Sequence, residues 1–273
     1  MSAITRRHIL QAGVGTIAFS GLGFAGDSRK PLGIQLYTLR DEMAKSVPGT
    51  FQRLARIGYS ELEFAGYFDH DAKEIRGLLD EHGLTAPSSH VPLELMQSEL
   101  EKTIEFASAV GHRYLVVPWL VEELRQSIDQ YRQTAATLNS IGEKCKAAGL
   151  MFAYHNHDFE FDVIDEEVPY DVLLHETDPD LVAMEMDVFW VTKAGRSPIH
   201  YINEWPGRFP LWHIKDISSD GTMVDVGDGT IDFPALLEHR DRAGLRHGFV
   251  EHDRPEVAFR TAERSFDFLA DKW

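Results

Sequence analysis

The chain has 273 residues, and 44 Asp and Glu residues against 27 Lys and Arg residues give it a formal charge of −17. This balance argues against a nucleic-acid partner, because a protein that binds nucleic acid needs a basic face to neutralise phosphates. Hydrophobic residues make up 43% of the chain, which is enough to bury a large core and excludes global disorder. The single cysteine, Cys145, excludes an intrachain disulfide and a thiolate zinc site. Any metal must therefore be held by His, Asp or Glu.

The first 25 residues have the pattern of an export signal. Arg6 and Arg7 precede a Gly/Ala-rich apolar run over residues 12–24, which is too short and too rich in glycine for a stable membrane span. The pattern resembles a twin-arginine signal with cleavage after Ala25, and an amphipathic or unstructured tail is the alternative. We therefore expect an exported, periplasmic protein. Removal of residues 1–25 takes away two arginines and no acidic residue, so the charge changes from −17 to −19.

From residue 32 onwards, short apolar runs alternate with helix-patterned segments. The predicted strands, in chain order, are 32–37, 60–64, 85–91, 114–120, 151–155, 181–187, 211–217 and 248–252. The helices predicted between and after them are 48–57, 72–82, 98–110, 126–148, 170–176, 199–205, 233–242 and 256–270. Glycines such as Gly58, Gly83 and Gly111 stand where helices need a left-handed cap.

Eight strand–helix units predict an α/β protein with a parallel sheet, because only a crossover returns the chain to the same end of a sheet. Eight units in about 250 residues have the size of a (β/α)₈ TIM barrel. The alternative is an open doubly wound sheet, which would carry a glycine-rich phosphate loop after its first strand. Residues 37–41, Tyr-Thr-Leu-Arg-Asp, contain no glycine. We therefore predict a single barrel domain over residues 32–273.

Potential metal ligands lie at the ends of four consecutive predicted strands. They are His155, Asp187, His213 and Glu251, separated by 32, 26 and 38 residues, each close to one strand–helix unit. In a TIM barrel the functional site lies at the carboxyl ends of the strands, so these side chains should converge. Mixed imidazole and carboxylate ligation suits a divalent ion such as Mn²⁺, Co²⁺, Zn²⁺ or Mg²⁺. The sequence therefore predicts a metal site at this rim.

Other polar residues at these strand ends have simpler explanations. The alternative to a role in the site is a helix cap for Asp216 and a solvated rim charge for Lys215. His252 and Asp253 are expected to be surface loop residues.

Several motifs in their order along the chain resemble the sugar phosphate isomerase/epimerase family, also called the xylose isomerase-like TIM barrels. They are residues 33–38 (Gly-Ile-Gln-Leu-Tyr-Thr), the Asp187-x-x-Trp190 strand end, residues 213–216 (His-Ile-Lys-Asp), residues 227–233 (Gly-Asp-Gly-Thr-Ile-Asp-Phe) and Val250-Glu251. The likeness extends from Leu32 to the end of the chain. It implies pairing of barrels into a homo-oligomer, which is common in the family.

The resemblance implies a metal held by Glu, Asp, His and Glu from strands five to eight. Asp187, His213 and Glu251 match the last three positions, whereas His155 stands where the family has Glu. In family members that epimerise ketoses, the two Glu residues form an acid/base pair on opposite sides of the reacting carbon. A coordinated His155 would not act as such a base, so His157, Glu160 or Lys215 would have to supply the second group.

The expected chemistry is metal-assisted removal of a proton next to a carbonyl of a sugar, through an enediolate. Glu251 is the predicted base, and Lys215 is predicted to neutralise the developing oxyanion, with His157 as the further catalytic residue. Isomerisation or epimerisation of a free sugar or keto-sugar is the first hypothesis, since an exported enzyme meets few phosphorylated sugars. The alternatives are a lyase or hydrolase acting on a keto-sugar or glycoside, and a non-catalytic sugar-binding protein of the envelope.

Three residues are predicted to contact the carbohydrate. Glu63 and His90 end strands two and three across the mouth of the barrel, where they would bind hydroxyl groups, and Trp190 would stack on the sugar. Packing at the barrel top is the alternative for each of them.

Overall fold

The computed structural model describes residues 31–273, and the predicted export signal lies outside them. The strands are β1 Gly33–Gln35, β2 Glu61–Phe64, β3 Thr85–His90, β4 Tyr114–Val117, β5 Met151–His155, β6 Val182–Asp187, β7 Leu211–Ile214, β8 Asp216–Ile217, β9 Met223–Val224 and β10 His247–Val250. Strands β1 to β7 pair in parallel in chain order, and β10 closes the barrel between β7 and β1. The predicted single-domain (β/α)₈ barrel is confirmed.

Helices surround the barrel. They are α1 Arg40–Lys45, α2 Val47–Ile57, α3 Ala72–His82, α4 Leu93–Ser98, α5 Leu100–Val110, α6 Ile128–Ala147, α7 Pro169–Glu176, α8 Val188–Lys193, α9 Pro198–Glu204, α10 Phe233–Leu237, α11 Arg240–Ala243 and α12 Ala258–Leu269. The predicted helix 233–242 is divided into α10 and α11. The short helices α1, α4 and α8 were not predicted, because a helix of six residues has little periodicity to detect. No helix within residues 31–273 is long and apolar enough to cross a bilayer.

The predicted seventh strand is shorter than expected. Strand β7 ends at Ile214, and β8 pairs with β9 in an antiparallel hairpin outside the barrel. Asp216 organises this loop: its carboxylate accepts hydrogen bonds from the backbone N–H groups of Ile217, Gly227, Gly229 and Ile231. Asp216 is therefore a loop anchor, and its interpretation as a helix cap is wrong.

The interior of the barrel changes from apolar at the bottom to polar at the top. A small cluster fills the lower part and consists of Val116, Ala153, Ala183, Leu211 and Phe249. Alternate residues of a strand face the same side, so Ala183, Glu185 and Asp187 follow one another upwards along the inner face of β6. The larger core lies between the outer face of the strands and the helices. This arrangement leaves only the upper interior for polar chemistry.

Two helical glycines provide a test of the close approach between α6 and the barrel. A Cβ at Gly142 would lie 2.6 Å from the carbonyl oxygen of Leu181, whereas a Cβ at Gly77 in α3 would meet nothing within 4 Å. We expect Gly142→Ala to lower the free energy of unfolding by about 1–3 kcal/mol through overpacking. The matched Gly77→Ala should raise it by about 0.5–1 kcal/mol, because alanine is the better helix former. Urea unfolding measures both, and stabilisation by Gly142→Ala would contradict the close contact.

Candidate metal centre and active site

The structure brings the four predicted metal ligands together inside the upper barrel. His155 ends β5, Asp187 ends β6, His213 lies in β7 and Glu251 directly follows β10. All four are buried, and ligand atoms of Asp187, His213 and Glu251 lie within 4.8 Å of one another. His155 belongs to a second, overlapping group with His90, Glu185 and His213, and its Nε2 lies 3.6 Å from Asp187 Oδ2. The spacing of one ligand per strand therefore does produce a cluster.

Asp187 is held in place by the chain on both sides of it. Its Oδ1 accepts hydrogen bonds from the backbone N–H groups of Phe189 and Trp190, which makes it the N-cap of α8. The side chain of Asn156 accepts a hydrogen bond from the backbone N–H of Asp187. These contacts use one carboxylate oxygen and direct the other, Oδ2, towards the centre of the cluster.

Lys215 is buried among carboxylates. Its Nζ lies 2.6 Å from Glu251 Oε2, 3.0 Å from Asp187 Oδ2 and 2.8 Å from Asp253 Oδ1. The alternative of a solvated rim charge is therefore wrong for Lys215, and the surface position expected for His252 is wrong because His252 is buried. Asp253 lies in the loop after β10, as expected, with its side chain 26% exposed. The ammonium group is a fixed positive charge next to the predicted base.

A second layer of polar residues lies deeper in the barrel than the predicted ligands. Glu185 Oε2 lies 3.0 Å from His155 Nδ1 and 2.7 Å from His90 Nε2. Glu63 Oε2 forms a short hydrogen bond with His213 Nε2 and accepts another, 2.8 Å long, from Gln35 Nε2. Glu63 was predicted to bind substrate, but it is fully buried in this layer.

Sequence reasoning missed Glu185 and Gln35. The available signal was strand periodicity, because Glu185 stands two residues before Asp187 on the same strand and must face the same side. Gln35 likewise ends β1 on the inner face of the barrel. Neither type of residue is distinctive enough in a sequence to mark a site without the fold.

Burial makes the charges in this cluster expensive. Four carboxylates, those of Glu63, Glu185, Asp187 and Glu251, are buried together, and Lys215 is the one side chain among them that carries a permanent positive charge. Buried charges need partners, so imidazolium groups, a bound cation or protonation of a carboxyl group must offset the remaining negative charge.

The pKa values of the carboxyl groups respond to this environment in different ways. Burial and the charge of Glu63 raise the pKa of Glu185 to about 7. Burial also raises the pKa of Asp187 to about 6, although the charge of Lys215 opposes the change. Burial disfavours the charged form of Glu251 too, but Lys215 and His213 lower its pKa well below the usual range. Glu251 is therefore ionised at neutral pH.

The two imidazoles among the predicted ligands differ in charge. Burial and the neighbouring imidazoles lower the pKa of His155 well below its usual value, so this ring is neutral. Burial disfavours the charged form of His213, but Glu185, Glu251 and Glu63 raise its pKa well above the usual value. His213 therefore carries a proton on both nitrogens while the carboxylates on its two sides accept them.

The neutral state of His155 supports a cation site. When its Nδ1 donates to Glu185, Nε2 keeps a lone pair, and that lone pair faces Asp187 Oδ2 at 3.6 Å. Asp187 Oδ2 is also 3.0 Å from the Lys215 ammonium, so it is an ionic acceptor on one side and faces the His155 nitrogen on the other. Two ligand atoms on one ion lie about 3.4 Å apart when the metal–ligand bonds are about 2.1 Å and tetrahedral. The residues present therefore fit a divalent metal.

A cavity of about 1450 Å³ opens above the cluster. It is lined by residues that include Tyr37, His90, Trp119, His155, His157, Trp190, Lys215 and Glu251. The structure thus places His157, His90 and Trp190 at the cavity, as well as the predicted base, whereas Glu63 does not line it. Tyr37 and Trp119 are about two-fifths exposed and form part of its open wall.

His157 is packed among aromatic rings at one side of the cavity. Its ring centroid lies 4.9 Å from that of Trp119 and 5.2 Å from that of Trp190. Burial and the charge of Lys215 lower the pKa of His157 to about 3, so the ring is neutral at neutral pH. Glu160 lies behind it, accepts a hydrogen bond from its backbone N–H, and does not line the cavity.

A closed parallel barrel with a buried His and carboxylate cluster at the carboxyl ends of its strands is the general form of a metal-dependent TIM-barrel enzyme. The model of the xylose isomerase-like TIM barrel family matches residues 51–271. The chain belongs to this family, which confirms the resemblance that its motifs carry.

Relatives and solved structures agree with this assignment. An inosose dehydratase of Geobacillus thermodenitrificans is 24% identical over 239 residues, which cover 72% of this chain and 78% of the relative. A sugar phosphate isomerase/epimerase structure from Parabacteroides distasonis has a TM-score of 0.79 at 27% identity and covers 90% of this chain and 95% of its own. The structure of an IOLI protein with a zinc atom has a TM-score of 0.70 at 17% identity, covers 89% of this chain and 99% of its own, and shares the fold.

Removal and return of metal provide a test of the cluster. We expect Zn²⁺ or Co²⁺ to raise the melting temperature of chelator-treated protein, since an ion at 100 times its Kd adds about 2.7 kcal/mol to stability. Asp187→Asn should abolish most of this shift, because it weakens the oxygen that faces His155. Asp158→Asn is the control, as Asp158 lines the same cavity outside the cluster. Calorimetry or fluorescence measures the melting temperatures. Equal metal-induced shifts in Asp187→Asn and Asp158→Asn would contradict the site.

Proposed function

We propose that the protein is a metal-dependent enzyme that removes the proton next to a carbonyl of a free sugar or keto-sugar and returns it, isomerising or epimerising the substrate. The observation that carries this proposal is the facing pair of His155 Nε2 and Asp187 Oδ2 below a large cavity that Glu251 lines. Membership of the xylose isomerase-like family supports it.

The residues that would hold the metal are His155, Asp187, His213 and Glu251. Mixed imidazole and carboxylate ligands suit Mn²⁺, Co²⁺, Zn²⁺ or Mg²⁺. When bound there, such an ion polarises a carbonyl and stabilises the negative charge of an enediolate.

Glu251 is the proposed base. It is ionised at neutral pH and lines the cavity, so it is able to accept a proton from a bound sugar. Lys215, 2.6 Å from Glu251 Oε2 and also at the cavity, places a positive charge where an oxyanion would develop. The two side chains together favour formation of negative charge on the substrate.

The state of His157 favours isomerisation over epimerisation. Epimerisation needs a second group that delivers a proton to the opposite face of the carbon. A neutral His157, with its pKa lowered to about 3, is a poor proton donor, and Lys215 lies beside Glu251 rather than opposite it. Isomerisation can proceed with Glu251 alone, which takes the proton from one carbon and returns it to the next. His157 then contributes to binding and to exclusion of water.

The cavity is suited to a carbohydrate larger than a single ring. Its volume of about 1450 Å³ exceeds the roughly 300–1,000 Å³ typical of small-molecule pockets. Trp119 and Trp190 stand on its wall, where they can stack on the apolar face of a sugar, and His90 offers a polar group. A keto-sugar that carries a further sugar or other substituent fits these features.

Dehydration is the second candidate reaction. The similarity to inosose dehydratases supports it, and so does the presence of a single ionised base. In this reaction Glu251 would take the proton next to the carbonyl, and the hydroxyl on the following carbon would leave as water after accepting a proton from the Lys215 ammonium. The product is an unsaturated ketone rather than an isomer.

Exchange in D₂O tests the proposal. We expect metal-dependent incorporation of deuterium next to the carbonyl of a suitable keto-sugar, measured by NMR. The exchange rate should fall about 10²–10⁴-fold in Glu251→Gln, which is the usual contribution of a general base. Glu256→Gln is the matched control, since Glu256 is exposed outside the cavity.

The outcomes separate the candidates. An isomeric sugar supports isomerisation, whereas a product that has lost water supports dehydration. Sugar binding with no exchange in any substrate would contradict both and favour a non-catalytic binding protein. Exchange at the wild-type rate in Glu251→Gln would eliminate Glu251 as the base.

We also propose that the protein is exported, on the basis of Arg6, Arg7 and the apolar run that follows them. The double replacement Arg6→Lys and Arg7→Lys should keep the protein in the cytoplasm of a host with a twin-arginine pathway, because this pathway reads the arginine pair. Cell fractionation and immunoblotting measure the effect. An unchanged periplasmic fraction would contradict the signal assignment.

A further inference from the structure

His155 and His213 each lie between two carboxylates, one towards the cavity and one deeper in the barrel. On the cavity side, His155 Nε2 lies 3.6 Å from Asp187 Oδ2, and His213 Nδ1 lies 2.7 Å from Glu251 Oε2. On the deeper side, His155 Nδ1 lies 3.0 Å from Glu185 Oε2, and His213 Nε2 is hydrogen-bonded to Glu63 Oε2. Both nitrogens of both rings are thus next to a carboxylate oxygen.

We propose that Glu185 and Glu63 are positioning residues that hold His155 and His213 in the tautomers and orientations that metal binding requires. A carboxylate that accepts one ring N–H leaves the other nitrogen for a metal, and such partners raise the basicity of the ligand. The inference rests on the proposed metal centre and adds two residues that do not touch the substrate. It assigns His155 Nε2 and His213 Nδ1 as the nitrogens that face the metal.

His155 and Glu185 form a matched pair in the barrel wall. They are directly opposite each other in the β5–β6 register, so their side chains point to the same side and meet. An acidic residue at position 155 would place a second carboxylate against Glu185, and an apolar residue would leave Glu185 Oε2 without this donor. The buried Glu185 is therefore suited to a histidine at position 155.

The deeper carboxylates are themselves held from other strands. His90 Nε2 lies 2.7 Å from Glu185 Oε2 and 3.4 Å from Glu63 Oε2, and so connects the two. Gln35 donates to Glu63 through Nε2 while its Oε1 accepts from the backbone N–H of Tyr37, which fixes the direction of the amide. These contacts make the deeper layer a rigid base for the two imidazoles.

Distances distinguish the two sides of His155. Separations of 2.7 and 3.0 Å from Glu185 Oε2 to His90 and His155 are those of N–H···O hydrogen bonds. The 3.6 Å between His155 Nε2 and Asp187 Oδ2 is closer to the roughly 3.4 Å between two ligands of one ion. His213 Nδ1 lies 2.7 Å from Glu251 Oε2 and would have to give up its proton before it could hold a metal.

A double-mutant cycle between positions 155 and 185 tests the proposal. Affinity for Co²⁺ or Zn²⁺ is measured by competition with a chromophoric chelator in wild type, Glu185→Gln, His155→Glu and the double variant. We expect Glu185→Gln to weaken binding about 10–100-fold when His155 is present, which is the usual effect of losing such a partner. In the His155→Glu background the same change should leave affinity equal or higher and raise stability, because it removes a facing carboxylate.

Glu61→Gln is the matched control for the loss of a buried carboxylate. Glu61 also pairs with a histidine, His247 Nδ1 at 2.8 Å, but at the opposite end of the barrel. Its replacement should alter stability without altering metal affinity. Equal weakening in Glu61→Gln and Glu185→Gln would show that the effect on affinity comes from general destabilisation, and would overturn the proposal.

A second measurement applies to the wild-type protein and does not depend on whether the variants fold. In the zinc-loaded protein, ¹⁵N NMR should show His155 protonated at Nδ1 and His213 protonated at Nε2. The opposite tautomers would overturn the proposal. A second outcome would also overturn the proposal: Asp187→Asn retains the metal, whereas Glu185→Gln and His90→Gln lose it. The ion would then be held by the deeper layer itself.

The outcome is independent of the reaction. All readouts are metal affinity, stability and tautomer, so absence of turnover on every sugar would defeat the proposed function and leave this inference standing. Normal turnover of the wild-type protein, together with unchanged metal affinity in Glu185→Gln, would support the proposed function and overturn this inference.

Discussion

The upper barrel depends on a balance of buried charge. Glu63, Glu185, Asp187 and Glu251 are buried together, and the ammonium of Lys215 compensates only part of their charge. The imidazoles supply the remaining donors, and their two nitrogens allow each ring to serve a carboxylate on either side. A cation between His155 and Asp187 would complete the balance, so the electrostatics of the fold and the chemistry of the site have the same origin.

The closed barrel makes this concentration of charge tolerable. The contributing residues lie on β2, β5, β6 and β7 or directly after β7 and β10, and the parallel ladder fixes these strands side by side, so the side chains cannot move apart. Further hydrogen bonds fix the positions of the strand ends. Asp187 caps α8, and the Asn156 side chain accepts a hydrogen bond from the backbone N–H of Asp187. Asp216 accepts hydrogen bonds from four backbone N–H groups in and after β8. The same strand ends therefore carry both the architecture and the ligands.

Much of the site was predictable because its residues stand at strand ends. His155, Asp187, His213 and Glu251 recur at intervals of about one strand–helix unit, and the barrel turns that interval into proximity. Glu185 and Gln35 escaped because an acid or amide inside a strand has no marked spacing, and Glu63 was placed at the mouth although it is buried in the deeper layer. The burial of Lys215 was not predicted for a similar reason, since it depends on the carboxylates of Asp187, Glu251 and Asp253, which are remote from Lys215 in sequence.

The amino-acid sequence alone determined the number and order of the strand–helix units, the parallel barrel and the four strand ends that supply potential ligands, because hydrophobic periodicity and spacing are local properties of the chain. It also determined that thiolates play no part in the site. Only the tertiary structure decided which nitrogen of each histidine faces which carboxylate, that Lys215 is buried, and that a deeper pair of glutamates supports the ligands. Those facts depend on distances between residues that are remote in sequence. These residues come together only when β10 pairs with β1 and closes the barrel.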